Sequence, residues 1–104
     1  MTEIALFFAG ALLCNAIPHL TAGLRGEPFP TPFAKPHGVG MSSPLINVIW
    51  GSFNLGVSLV LLSLHPLPEV ISLDSGVFAA GFLLLGIYAS YHFGKVRAGQ
   101  VVSK

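Results

Sequence analysis

The chain has 104 residues, a formal net charge of +1, 9% charged residues and 53% hydrophobic ones. Ordinary soluble domains carry roughly 25% charged and 45–50% apolar residues, so these few charges cannot cover a water-facing surface, and the composition points to lipid as the solvent. A nucleic-acid groove is excluded, because it needs clustered Lys and Arg interleaved with aromatics. The length allows one domain, a single transmembrane domain over 1–104.

The first apolar block, about 3–23, is read as a retained helix and not as a signal peptide. Glu3 stands where a basic leader segment belongs, and Leu13 is bulky in front of Cys14. The lone Cys14 excludes an intramolecular disulfide and is expected to be a buried, inert thiol. Ala11, Asn15, His19 and Ala22 recur at helical spacing on this block.

The connection 24–43 holds Pro28, Pro30, Pro32 and Pro36, then Gly38 and Gly40. It is longer than ordinary connections, and Phe29 and Phe33 are too apolar for a free linker. An ordered arm is expected, since proline lowers the entropy lost on ordering. If it folds back, it brings Glu27, Lys35 and His37 toward His19 and His92.

The second block, 44–64, opens on Pro44 behind Ser42 or Ser43 as cap. Asn47, Gly51, Asn54 and Ser58 follow at offsets of four, three and four, which places them on one face. Lipid cannot hydrogen-bond an amide, so this face is expected to turn inward and meet Asn15, as helix-packing residues first and as a path lining second. The third block, about 75–94, has Asp74 or Ser75 as cap, with a start near Pro68 as the alternative. Gly23 and Gly94 are expected helix stops, and Gly76, Gly81 and Gly86 are expected packing notches. Trp50, Tyr88 and Tyr91 fit an aromatic belt. The fold class is therefore all-α: an integral membrane protein of three transmembrane helices with a long Pro-rich connection between the first and second.

All five basic residues, Arg25, Lys35, Lys95, Arg97 and Lys104, fall on the 24–43 connection and the C-terminal tail. The other side carries Glu69 and Asp74. The bias predicts an outside N-terminus, with the connection and C-terminus cytoplasmic, as in a bacterial inner membrane. It also argues against dual-topology transporters of the small multidrug-resistance or fluoride-channel type, and no carboxylate sits inside a span for proton-coupled transport.

Three of the four histidines, His19, His37 and His92, gather at that cytoplasmic side, while His65 lies opposite. At ~1.5 Å per residue His19 and His92 reach similar depth. The plain expectation is that such rings bind water, headgroups or a backbone carbonyl. The sharper one is a ligand site of His19 and His92, assisted by His37, Asn15, Asn47 and Tyr88, for haem, a quinone, a lipid headgroup or a metal. No motif identifies a reaction: there is no Ser-His-Asp set, no Cys pair and no phosphate loop. The first functional expectation is association, as a homo-oligomer or an accessory subunit of a larger membrane complex. The alternatives are the histidine site and an oligomeric channel with a neutral path along Asn15 and Asn54.

Overall fold

The computed structural model describes the backbone of residues 1–103 and the side chains of residues 1–99; Lys104, part of the basic tail, lies outside the described residues. Three helices, α1 (Thr2–Leu24), α2 (Pro44–Leu64) and α3 (Leu73–Ser103), account for most of the chain. Each is long and apolar enough to cross a membrane. The molecule is 49 Å along its main axis, longer than the ~30 Å hydrocarbon core of a bilayer.

Helix α1 is the centre of the fold. It packs on α2 along one side and on α3 along the other, whereas α2 and α3 share almost no contact. The α1–α3 seam is a backbone-to-backbone crossing. A Cβ on Gly10 would lie 2.1 Å from the Phe78 carbonyl oxygen, and one on Gly81 would lie 2.0 Å from the Phe7 carbonyl oxygen. Only glycine permits that approach, and close backbone approach is a main source of helix affinity in lipid. Further along, Gly86 faces the Cys14 sulfur, so the half-buried thiol is part of this seam. Gly76 faces nothing, which corrects its expected role as a notch.

The ends of the helices follow local chemistry. Helix α1 does not stop at Gly23; it continues to Leu24 and closes with Gly26 in the left-handed region at φ 75°. Gly26 N–H donates to Gly23 O at 3.0 Å and Glu27 N–H to Ala22 O at 2.9 Å, a Schellman closure that satisfies two terminal carbonyls. Gly23 serves packing instead, because a Cβ there would meet Pro44 O at 2.7 Å. Helix α2 opens as its sequence indicates, with Ser43 Oγ accepting from Ile46 N–H at 3.2 Å and Pro44 at the first helical position. At the start of α3, Ser75 Oγ accepts from Ser72 N–H at 2.7 Å. Gly94 does not end α3, which runs on to Ser103.

The connection between α1 and α2 is an ordered arm. Strand β1 (Phe29–Pro30) pairs antiparallel with β2 (Met41–Ser42), and the loop between them is tied by Gly38 N–H to Thr31 O at 3.0 Å. Thr31 is 1% exposed, with its hydroxyl bonded to Ser42 Oγ and accepting from Phe33 N–H. Gly40 is required by space, since a Cβ there would overlap the Lys35 carbonyl. Gly38 O accepts from His92 Nε2 at 2.7 Å, so the arm spans from α2 across to α3. At the opposite end, Thr2 and His65 are joined at 3.1 Å, which sets α1 and α2 antiparallel.

Candidate functional site

The inward stripe of α2 is the one its spacing implies: Asn47, Gly51, Asn54 and Ser58 are the buried residues of that helix. Each meets α1. Ser58 Oγ donates to Ala9 O at 2.7 Å, Asn15 Nδ2 donates to Asn54 Oδ1 at 3.1 Å, and Gly51 admits the Leu20 backbone. Asn54 also donates through Nδ2 to Trp50 O at 2.8 Å, so its amide is engaged at both ends. Asn54 is 1% exposed and bonded to Asn15, an arrangement that joins helices within one copy of the chain. Ala11 is only half-buried on the neighbouring turn of α1.

The most connected side chain is Asn47, which is fully buried. Its Nδ2 lies 3.0 Å from Phe29 O, 3.2 Å from Ser42 O and 3.0 Å from Ser43 O, three main-chain acceptors around one amide nitrogen. Its Oδ1 lies 2.8 Å from His19 Nδ1. One amide therefore joins α1, both strands of the arm and the start of α2.

His19 is 2% exposed, at the base of this arrangement. Phe29, Trp50 and Phe93 meet its ring edge-on, with centroids 5.3, 6.5 and 6.3 Å away. Phe29 and Phe93 also touch each other at 4.7 Å. Pro18, just before it, gives no N–H to the Cys14 carbonyl, so α1 lacks a regular hydrogen bond at the level of the site. Trp50 does not behave as a simple interfacial anchor: its Nε1 is buried and, among the described residues, has no hydrogen-bond partner.

The other histidines are turned elsewhere. His92 stacks on Tyr88 at 5.8 Å and donates through Nε2 to Gly38 O, so that nitrogen is engaged by the arm. Phe93 contacts both His92 and His19. His37 donates through Nδ1 to Pro32 O at 2.6 Å on the exposed side of the arm, and Tyr88 is 62% exposed. The arm thus folds back as expected but brings a backbone carbonyl, and not the His37 ring, to His92. Among the described residues no group of three or more His, Cys, Asp or Glu is placed to hold a metal ion.

Two hollows flank the site. One of about 700 Å³ runs along the arm side of α2, lined by Phe33, Ser42, Ile46, Ile49, Trp50 and Phe53. Another of about 320 Å³ lies between α1, the arm and α3, where Phe29 and Phe93 form its inner wall and Arg25, Glu27 and Arg97 its rim. Arg25 donates to Glu27 Oε1 through Nε and Nη2, at 3.2 and 2.7 Å. That pairing holds the Glu27 carboxyl below its usual range and raises the guanidinium.

The residues that spacing alone did not mark are Phe29, Thr31 and Phe93, which join the site only through the return of the arm. Phe29 is too apolar for a free linker, which is the sequence signal that points to it. Compared with protein-family models, with curated proteins and with solved structures, the chain matches none.

Proposed function

We propose that this chain is a small polytopic inner-membrane protein that acts by association, pairing with a second copy of itself through the outward face of α2. The N-terminus is outside, and the arm and C-terminal end of α3 are cytoplasmic. This orientation is supported by Arg25, Lys35, Lys95 and Arg97 at the arm end and by Glu3, Glu69 and Asp74 at the other.

The observation that carries the reading is Gly56. A glycine inside a helix costs about 0.8–1 kcal/mol relative to alanine. At Gly10, Gly51 and Gly81 close approach of a neighbouring helix explains the residue, but a Cβ on Gly56 of α2, as on Gly76, Gly94 and Gly99 of α3, would meet nothing within 4 Å. Gly56 and Ser52 are both exposed on one face of α2, one turn apart, and Gly56 floors a hollow of about 370 Å³ walled by Phe53, Val57, Val60 and Leu61. Two small residues four apart on an apolar face let a second helix approach to backbone distance. The buried polar pairs are engaged inside the protomer, so this apolar notch is the surface that α2 has available for a second copy.

The test is disulfide trapping in native membranes with Cys14→Ser plus Ser52→Cys. A dimer that forms on oxidation, and is lost when Gly56→Leu is added, is the expected result. No dimer from the Ser52→Cys variant, with full trapping from a cysteine on the outer face of α3 instead, would move the pairing surface to α3; no trapping from either position would leave an accessory-subunit role.

A further inference from the structure

The protonation of His19 follows from its partner. Three carbonyl oxygens surround Asn47 Nδ2, and carbonyls only accept, so the amide nitrogen must be on that side and Oδ1 must face His19. An amide oxygen also only accepts. His19 Nδ1 therefore carries the proton at 2.8 Å from Oδ1, and in the neutral ring Nε2 is left with a bare lone pair. Among the described residues His19 makes its hydrogen bond through Nδ1 alone.

A second unpartnered group stands beside it. Trp50 Nε1 is a buried N–H with no acceptor among the described residues, and the two ring centroids are 6.5 Å apart at 75°. A buried donor without a partner is costly where lipid offers none, and of the two atoms it is Trp50 Nε1 that is sealed from solvent. Trp50 also lines the hollow of about 700 Å³, whose other walls are the apolar Phe33, Ile46, Ile49 and Phe53, with Ser42 and Ser43 beside them.

We propose that His19 and Trp50 form a binding site for the hydroxyl head of an uncharged amphiphile of the phenol type. The O–H donates to His19 Nε2 and the same oxygen accepts from Trp50 Nε1, while the apolar tail lies along α2 in the groove beyond Trp50. A hydroxyl satisfies both atoms at once through a single oxygen. A quinone carbonyl has no proton to offer the Nε2 lone pair, so the site favours a hydroxyl over the carbonyl of the same ring. Phe29 and Phe93 close the site from the side of α3. This inference does not rest on pairing through α2: its polar contacts are to His19 and Trp50, although Phe53 walls both the groove and the hollow at Gly56.

The test uses the full chain in nanodiscs with ¹⁵N-histidine labelling, and two matched probes, 4-octylphenol and its methyl ether 4-octylanisole. In the free protein the His19 Nδ1 resonance is expected in the protonated range and Nε2 in the bare range. Octylphenol is expected to shift Nε2 toward the hydrogen-bonded range and to change the emission of Trp50, the only tryptophan. The ether, lacking the proton, is expected to bind about three- to tenfold more weakly, the equivalent of one hydrogen bond. Trp50→Phe keeps the ring and removes the N–H, and is expected to weaken octylphenol by a similar factor. A protonated Nε2 with bare Nδ1 would overturn the proposal, as would equal binding of phenol and ether. If Trp50→Phe did not fold, the phenol–ether comparison on the unaltered protein would still decide.

Discussion

Replacing Asn47 by alanine removes the hub that joins the arm to both helices. Two sets of contacts are lost: the bond to His19 Nδ1, and those to Phe29 O and Ser42 O. Ser43 O keeps a partner, because it also accepts from the Asn47 backbone N–H at 3.1 Å. Polar contacts between membrane helices average about 0.6 kcal/mol with a maximum near ~1.7, which sets a floor of about 1 kcal/mol for two sets. Leaving a buried donor or acceptor unpaired costs about 1–3 kcal/mol each, which for His19 Nδ1, Phe29 O and Ser42 O sets a ceiling of about 9 kcal/mol. Asn47 is 0% exposed, so water does not replace what is lost, and a value of about 2–4 kcal/mol is expected. Denaturant unfolding in mixed micelles, followed by Trp50 emission, measures it. Amide exchange adds a local readout: Gly38 N–H, bonded to Thr31 O, is expected to exchange far faster in the variant as the arm detaches. Asn47→Asp keeps the acceptor for His19 but not the donors, so it should free the arm as alanine does. A loss below about 0.5 kcal/mol with unchanged Gly38 exchange would refute the hub.

Gly81→Ala is expected to cost about 1–3 kcal/mol by overpacking, since its Cβ would fall 2.0 Å from Phe7 O, whereas Gly76→Ala, with nothing within 4 Å, should be neutral or slightly stabilising; thermal unfolding of the two separates them. Asn54→Leu leaves Asn15 Nδ2 without its acceptor and is expected to destabilise the monomer fold by about 1–2 kcal/mol while leaving Ser52→Cys trapping of the remaining folded protein intact. Glu27 pairs with Arg25 in the open and its folded carboxyl is held below the usual range, so the pair's contribution is present above the unfolded carboxyl value and is lost as pH falls through the lowered folded one. A melting-temperature series into acid should therefore show a small decline that Glu27→Gln abolishes; equal acid dependence in both proteins would remove the pair from the account.

Much of the membrane-facing architecture was legible because it rests on local signals. A polar stripe at helical spacing on an apolar background has one inward solution in lipid, so Asn47, Gly51, Asn54 and Ser58 were readable as the buried face, and with them the meeting of Asn15 and Asn54. Gly23 and Gly94 misled because a glycine ends a helix only where the backbone turns left-handed. That happens at Gly26, just past the end of α1, while Gly23 is used for close approach and Gly94 stays helical. The site around His19 was half visible. The ring and Asn47 stood out by type, but what joins them is the return of Phe29 and Ser42 onto Asn47, a contact between distant residues through backbone carbonyls that no side-chain pattern announces. His37 stood out by type as well, yet its ring is used within the arm, on Pro32 O.

The most direct test of association is native mass spectrometry of the full chain released from nanodiscs. The expected spectrum is a multiple of the 10.9 kDa chain that collapses to a single copy on Gly56→Leu while the helical signal is retained. An unaltered protein that is folded and found only as a single copy would contradict the proposal.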